Sequence, residues 1–161
     1  MSSFSEELEH LFVALDANIG FASRPQAIPG DLRVRWRLSI LCLMLEGARG
    51  KTLALPHLHV LWWATKSAET RQLFLRSIDG ETRPGEVLVR FDPTLSTTVD
   101  LGLGCGLVTR TSAGGVKLTP LGASVASACT SAGILSAEQE FLTLIPHPIT
   151  QALLNGVLNL R

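Results

Sequence analysis

The stretch that decides the fold spans residues 90–122 and reads RFDPTLSTTVDLGLGCGLVTRTSAGGVKLTPLG. Asp92 and Pro93 predict a helix start, because aspartate caps a first turn and proline suits the first helical position. Leu95, Val99 and Leu103 then recur at helical spacing. Two short segments around a double glycine follow, typical of a hairpin, and LTPLG opens another helix. This order of helix, hairpin and helix predicts a winged helix.

Between residues 31 and 91, the sequence predicts three more helices and two strands. Asp31 is placed to cap the first helix, whose core face carries Trp36, Ile40, Leu43 and Met44. The predicted helices span about 32–46, 57–66 and 68–78, and the strands span 51–55 and 86–91. In the helix at 68–78, Leu73 and Leu75 are expected to be apolar and Arg71 to lie outside. In the second strand, Val87, Val89 and Phe91 are expected on one face, because successive side chains alternate along a strand.

The predicted fold class is α+β and mostly helical, a winged helix with a small antiparallel sheet and added terminal helices. Residues 1–31 are expected to form an N-terminal helix and connector, residues 32–133 the winged-helix domain, and residues 134–161 a C-terminal helical extension. That extension packs either on the same core or on a partner. Two apolar stripes are candidate partner-binding surfaces: Leu8, Leu11, Phe12 and Leu15 near the N-terminus, and Leu153, Leu154, Val157 and Leu158 near the C-terminus.

Charge is unevenly distributed along the chain. Residues 1–90 carry 21 of the 28 charged residues, which leaves 7 for residues 91–161. The formal net charge is +0, and only 17% of residues are charged, less than in a typical soluble domain. A second half so poor in charge is expected to be covered in part by a protein partner.

The cellular compartment is expected to be the cytoplasm. The three cysteines form no Cys-x-x-Cys motif, and the chain shows neither a signal-peptide pattern nor an apolar run long enough to span a bilayer. His57 and His59, two residues apart on a helix, point to different faces, so a metal site is not expected. No cofactor is expected either.

Whether the protein reads DNA depends first on the side chains of the helix at 93–104, because this helix is expected to enter a DNA groove in a winged helix. That helix contains no Arg, Lys, Asn or Gln, the residues that read guanine and adenine. The hairpin offers Arg110 and Lys117 as candidate phosphate contacts. Arg33, Arg35 and Arg37 are a second candidate group. Together they suit weak, non-specific DNA contact better than sequence-specific reading.

Catalysis is not expected. The sequence has no nucleophile elbow, no phosphate-binding glycine loop and no carboxylate or histidine cluster at site spacing. The glycines at 102, 104 and 106 follow a helix rather than a strand, so they are interpreted as ending the helix and allowing close packing.

Several motifs resemble a known family. These are RFDP at 90–93, VDL at 99–101, GLV at 106–108, VKLTPLG at 116–122, AEQEFL at 137–142 and ITQALL at 149–154. They resemble the winged-helix middle components of bacterial ABC-three-component systems, which are encoded with an SMC-like ATPase in Lamassu-like anti-phage loci. The resemblance covers roughly residues 32–160. The chain departs from it at Gln151, where an acidic residue is expected, and in its run of glycines from 102 to 106.

The resemblance implies a non-catalytic accessory subunit that binds the SMC-like ATPase in an anti-phage defence complex. A homodimer is the other partner considered. The alternative function is a dimeric winged-helix transcriptional regulator or DNA-binding protein. The outward residues of helix 93–104, which include hydroxyls and Asp100 but no basic side chain, favour the accessory subunit.

Overall fold

The computed structural model describes residues 30–83 and 86–158, with side chains described from residue 33 onward. The N-terminal stripe of Leu8, Leu11, Phe12 and Leu15 lies outside the described residues. The described chain forms these elements in order: α1 Gly30–Glu46, a 3-10 turn Arg49–Lys51, β1 Thr52–Leu53, α2 Leu55–Thr65, α3 Ala68–Ile78, α4 Pro93–Gly104, β2 Val108–Arg110, β3 Val116–Leu118, α5 Pro120–Ser131, α6 Ser136–Leu144 and α7 Gln151–Leu158. The predicted α+β, mostly helical class is confirmed.

The three strands form one small antiparallel sheet in the order β1-β3-β2. Thr52 faces Lys117 on one side of β3, and Thr109 faces the same lysine on the other. The β2–β3 turn is closed by the Thr111 amide, which donates to the Gly115 carbonyl at 2.8 Å. Gly114 lies in this turn at φ 78°, a backbone conformation that favours glycine.

The core is built around α1. Ile40, Leu41, Met44 and Leu45 are fully buried, and the helix packs against α4, α5 and β3. This confirms the predicted apolar face at its centre. Trp36 was predicted to share that face but is 38% exposed, because it lies near the start of the helix, where Arg33 and Arg35 are exposed as well. Its ring packs edge-on against Trp62 at 6.1 Å between centroids.

The packing of α3 differs from the prediction. Its helix start is a capping box, in which the Ser67 hydroxyl accepts from the Thr70 amide at 3.2 Å. Phe74, between the two leucines expected to be apolar, is the fully buried residue, and its ring packs edge-to-face on Phe141 at 5.5 Å. Arg71 was predicted outside, yet it is half-buried in an ion pair with Glu138 at 3.1 Å.

The predicted strand at 86–91 does not form. No helix, strand or backbone hydrogen bond involves residues 87–91 among the described residues, so no partner strand completes it. Val87 and Val89 are half-buried against the core as predicted. Phe91 is 64% exposed instead. Its ring lies edge-on against His59, at 4.7 Å between centroids.

The starts of α1 and α6 differ from the sequence prediction. α1 begins at Gly30, so Asp31 lies inside it rather than at its cap. α6 follows Leu135 in a left-handed conformation, and Ser136 does not cap it. The Gln139 side chain instead donates from Nε2 to the Ile134 carbonyl at 2.6 Å.

The last helix starts at Gln151 rather than at Pro148. The cause is Ile149, whose amide donates to the Gly47 carbonyl at 3.0 Å while its carbonyl accepts from the Arg49 amide at 2.9 Å. These bonds hold the chain against the turn after α1, so helical hydrogen bonding begins only afterwards.

The C-terminal extension packs on the chain's own core. Leu154 and Val157 are buried in the same cluster as the core of α1, and the Asn155 amide oxygen lies 2.7 Å from His57 Nε2 on α2. The prediction that these two apolar residues bind a partner is therefore wrong, because they are already covered by α2 and α3. Leu153 and Leu158 are half-buried against the same core.

Among the described residues, no helix is both long and apolar enough to span a membrane.

Candidate partner-binding and nucleic-acid surfaces

The helix α4 is fixed by its cap and by three buried side chains. The Asp92 carboxylate accepts from the Thr94 amide at 2.9 Å, and Leu95 and Val99 are fully buried, as predicted. Thr98 is also buried, because its hydroxyl donates to the Thr94 carbonyl at 2.7 Å and so needs no solvent.

The C-terminal half of α4 lies very close to its neighbours. A Cβ atom on Gly102 would lie 3.1 Å from Val108 Cγ2 and 3.3 Å from Leu41 Cδ2. This glycine lets the helix approach both β2 and α1, as the close-packing interpretation of the glycine run predicted. Gly106 follows the end of the helix at φ 70°, where the chain turns into β2.

The exposed face of α4 is neutral or acidic. It presents Thr94, Ser96, Thr97 and Asp100, together with Leu101, which is 40% exposed. None of these side chains carries the paired donors that recognise guanine, and the carboxylate of Asp100 repels phosphate. This face therefore suits contact with protein better than insertion into a DNA groove.

The hairpin carries less free positive charge than the sequence indicated. Arg110 Nη2 lies 3.6 Å from Asp100 Oδ1, and both side chains are exposed. Lys117 is exposed on the central strand and makes no ion pair with a described residue. The hairpin thus offers one unpaired cation and one that shares its charge with a carboxylate on α4.

The arginines of α1 form a separate group. Arg33 and Arg35 are exposed and Arg37 is half-buried. None makes an ion pair with a described residue. The charges of Arg33, Arg35 and Arg37 are therefore not neutralised by any described carboxylate.

Asp92 is the centre of a polar network that sequence reasoning found only in part. Its carboxylate accepts a hydrogen bond from Trp62 Nε1 at 3.2 Å and forms a short ion pair with Lys66. Its backbone amide donates to His59 Nδ1 at 3.4 Å. The capping role was predictable from the Asp-Pro pair, but Trp62 and Lys66 lie on α2 and reach it only in the folded chain.

The network shifts two pKa values. Burial alone raises the pKa of Asp92, but the hydrogen bonds from Lys66, Thr94 and Trp62 outweigh it and hold the pKa well below its usual range. Burial lowers the pKa of His59, and the nearby Asp92 carboxylate opposes this only in part. Because both pKa values are lowered in the folded state, both shifts make the free energy of unfolding larger at neutral pH than at acidic pH.

Asp92→Asn is expected to lower the free energy of unfolding at pH 7 by about 1 to 2 kcal/mol, because asparagine keeps the cap but loses the charge-assisted bond to Lys66. A carboxylate with a depressed folded pKa stabilises the fold above its unfolded pKa of about 3.9 and loses this effect as the pH falls below that value. Urea unfolding of the wild-type chain and of Asp92→Asn should show a difference in the free energy of unfolding at pH 7, and this difference should become smaller below pH ~4.

The matched control is Asp100→Asn, which removes an exposed carboxylate paired at 3.6 Å. Its effect at pH 7 should be near zero, since exposed pairs contribute little. If the loss in free energy of unfolding caused by Asp92→Asn is the same from pH 7 to pH 3, the carboxylate charge is not what stabilises this network.

A groove of about 520 Å³ lies between α1, α5 and α6. Small and polar side chains line it, including Ala126, Thr130, Gln139 and His147. Glu46 at its edge is bound to Lys51 at 2.8 Å. The Nδ1 atom of His147 in this lining lies 2.6 Å from the Ile145 carbonyl oxygen.

The remaining reactive groups are dispersed. Cys42 and Cys129 are buried and Cys105 is exposed, all three as free thiols. Burial, followed by the nearby Cys129, raises the pKa of Cys42 to about 12, which keeps the thiol protonated and unreactive. No group of three His, Cys, Asp or Glu residues is arranged to hold a metal ion in the part of the chain that the structure describes.

Comparison of the chain with protein-family models, with curated proteins and with solved structures found no match.

Proposed function

We propose that this protein is a non-catalytic winged-helix accessory subunit that binds an SMC-like ATPase in a bacterial anti-phage defence complex. The sequence resemblance supplies the ATPase and the defence context. The winged-helix assignment is supported by the order of α1, β1, α2, α4 and the β2–β3 hairpin, and by the sheet order β1-β3-β2. In this assignment α4 is the helix that precedes the wing, and α3, α6 and α7 are additions.

One observation carries the preference for a protein-binding role. The exposed face of α4 offers hydroxyls, the Asp100 carboxylate and the half-exposed Leu101, and the nearby Arg110 is drawn to that carboxylate. A helix of this composition lacks the donors and the positive charge that DNA reading needs. Exposed Leu121, Ile134 and Leu144 add apolar surface for a protein partner.

The N-terminal stripe of Leu8, Leu11, Phe12 and Leu15 is part of the proposed partner-binding surface. With Leu154 and Val157 occupied inside the fold, this stripe is the remaining predicted helical ribbon suited to a partner's groove. A cytoplasmic location belongs to the same proposal and is supported by three unpaired cysteines.

A second candidate is a winged-helix DNA-binding protein that acts as a dimer. The observation in its favour is the exposed set of Arg33, Arg35 and Lys117, which have no ion-pair partner among the described residues. Three such cations suit phosphate contact of strongly salt-dependent affinity rather than base recognition.

The test is complex formation by the full chain. Mixed with the SMC-like ATPase proposed as its partner, the chain should elute in size-exclusion chromatography as one complex, and Leu11→Asp should weaken that complex at least tenfold. Any retention on duplex DNA should be independent of sequence. Failure to bind the ATPase, together with sharp base-pair dependence on one duplex, would establish the DNA-binding alternative instead.

A further inference from the structure

The segment Glu86–Phe91 combines a strand-like sequence with a missing strand partner. Its exposure alternates along the chain: Glu86, Leu88 and Arg90 are exposed, whereas Val87 and Val89 are half-buried. A period of two residues is the signature of an extended chain with one face on the core. The segment therefore has the side-chain pattern of a strand without a neighbouring strand in the described structure.

Its backbone is available for pairing. Residues 87–91 make no backbone hydrogen bond with any described residue, and an extended backbone with free N–H and C=O groups is a template for another strand. Leu88 at 66% exposure and Phe91 at 64% are among the most exposed large apolar side chains of the described residues. The backbone of residues 87–91 thus has no hydrogen-bond partner among the described residues, and Leu88 is exposed beside it, whereas the Phe91 ring packs on His59.

The order of charges in the segment indicates what the partner is. Glu86 and Arg90 lie two residues on either side of Leu88, on the same outward face. In an antiparallel pairing of two identical segments centred on Leu88, Glu86 of each copy faces Arg90 of the other, and the two Leu88 side chains face each other. The valines pair with valines on the inner face. Opposite charges directly across antiparallel strands stabilise the pair, and like charges destabilise it.

We propose that this segment pairs with the same segment of a second copy of the chain, forming a two-fold symmetric, antiparallel β-ladder centred on Leu88. The symmetry makes the interface self-complementary, since each copy contributes one Glu86 and one Arg90. Arg90 makes no ion pair with a described residue, so it is free to take this role. Glu86 lies 3.1 Å from Arg76, and a carboxylate has spare acceptor sites for a second cation.

The inference is independent of the proposed accessory function, because it concerns the chain alone. A ladder of a few residues is short, so the dimer is expected to be weak and to dissociate on dilution. Sedimentation equilibrium of the purified full chain over a wide concentration range should therefore show a reversible monomer–dimer equilibrium.

Charge reversal tests the register. Glu86→Arg alone places Arg opposite Arg at both ends of the ladder, and Arg90→Glu alone places Glu opposite Glu. Each variant should dimerise about tenfold more weakly than the wild-type chain, which corresponds to roughly 1.4 kcal/mol for two like-charge pairs. An equimolar mixture of the two variants restores opposite charges at both ends, so it should recover association as a heterodimer.

Arg49→Glu is the matched control, because it makes the same charge change on an exposed residue in the turn after α1, outside the ladder. It should leave the dissociation constant within about twofold of wild type, since it places no like-charge pair in the ladder. Circular dichroism and urea unfolding confirm that each variant folds. A wild-type chain that stays monomeric at every concentration overturns the proposal. So does a dimer that the reversals leave unchanged, or a mixture of the two variants that fails to reassociate.

Discussion

Gly122→Ala is expected to lower the free energy of unfolding by about 3 kcal/mol or more, because the new methyl group overlaps fixed backbone. A Cβ atom at this position would lie 2.2 Å from the Leu107 carbonyl oxygen and 2.5 Å from Leu118 Cδ1. The Leu107 carbonyl cannot move freely, since it accepts from both the amide and the hydroxyl of Thr119 at 3.0 Å. Urea unfolding monitored by circular dichroism measures the loss.

Gly156→Ala is the control for this substitution. Gly156 lies in α7, and a Cβ atom there would meet no other atom within 4 Å. Alanine in a helix interior is favoured over glycine, so this variant should be stabilised by about 0.5 to 1 kcal/mol. Equal effects at the two positions would mean that α5 does not pack against the start of β2 as closely as the structure shows.

Phe74→Ala is expected to cost about 3 to 5 kcal/mol, because a fully buried aromatic side chain is replaced by a cavity. The Phe74 ring packs edge-to-face on Phe141 at 5.5 Å, which joins α3 to α6. The same urea titration measures the loss, with a chevron analysis to assign it to folding or unfolding rates.

Phe91→Ala is the comparison for Phe74→Ala. Phe91 is 64% exposed, and its ring packs edge-on against His59, so its removal should change the free energy of unfolding by less than about 1 kcal/mol. If both phenylalanine variants lose similar stability, Phe74 is not at the centre of the α3–α6 contact.

The parts of the fold that the sequence predicted are those set by local chemistry. α4 follows from the Asp92 cap, the position of Pro93 and the spacing of Leu95 and Val99. The hairpin follows from a double glycine between two short strands. These signals lie within a few residues of one another, so they do not depend on the rest of the chain.

The parts that the sequence could not predict depend on distant neighbours. The choice of Phe74 over the adjacent leucines as the core residue depends on where Phe141 lies. The start of α7 depends on hydrogen bonds between Ile149 and the turn after α1. Residues 86–91 have the alternation of a strand, but alternation alone does not say whether a second strand is present to pair with it.

The candidate site divides in the same way. The absence of base-reading residues from α4 was visible in the sequence and does not depend on folding. The pairing of Arg110 with Asp100 was not visible in the sequence, because tertiary packing brings the end of β2 beside α4. Thr98 shows a related limit: a polar residue occupies an inward position because its hydroxyl is satisfied by the preceding turn.

The proposal that the chain serves as a protein-binding subunit is tested most directly by sedimentation velocity of the full chain titrated with the SMC-like ATPase proposed as its partner. The expected result is a single faster-sedimenting complex that saturates at a fixed ratio and survives an excess of mixed-sequence duplex DNA. If the two proteins sediment separately at every ratio, while the chain alone forms a stable complex with one particular duplex, the protein-binding role is contradicted.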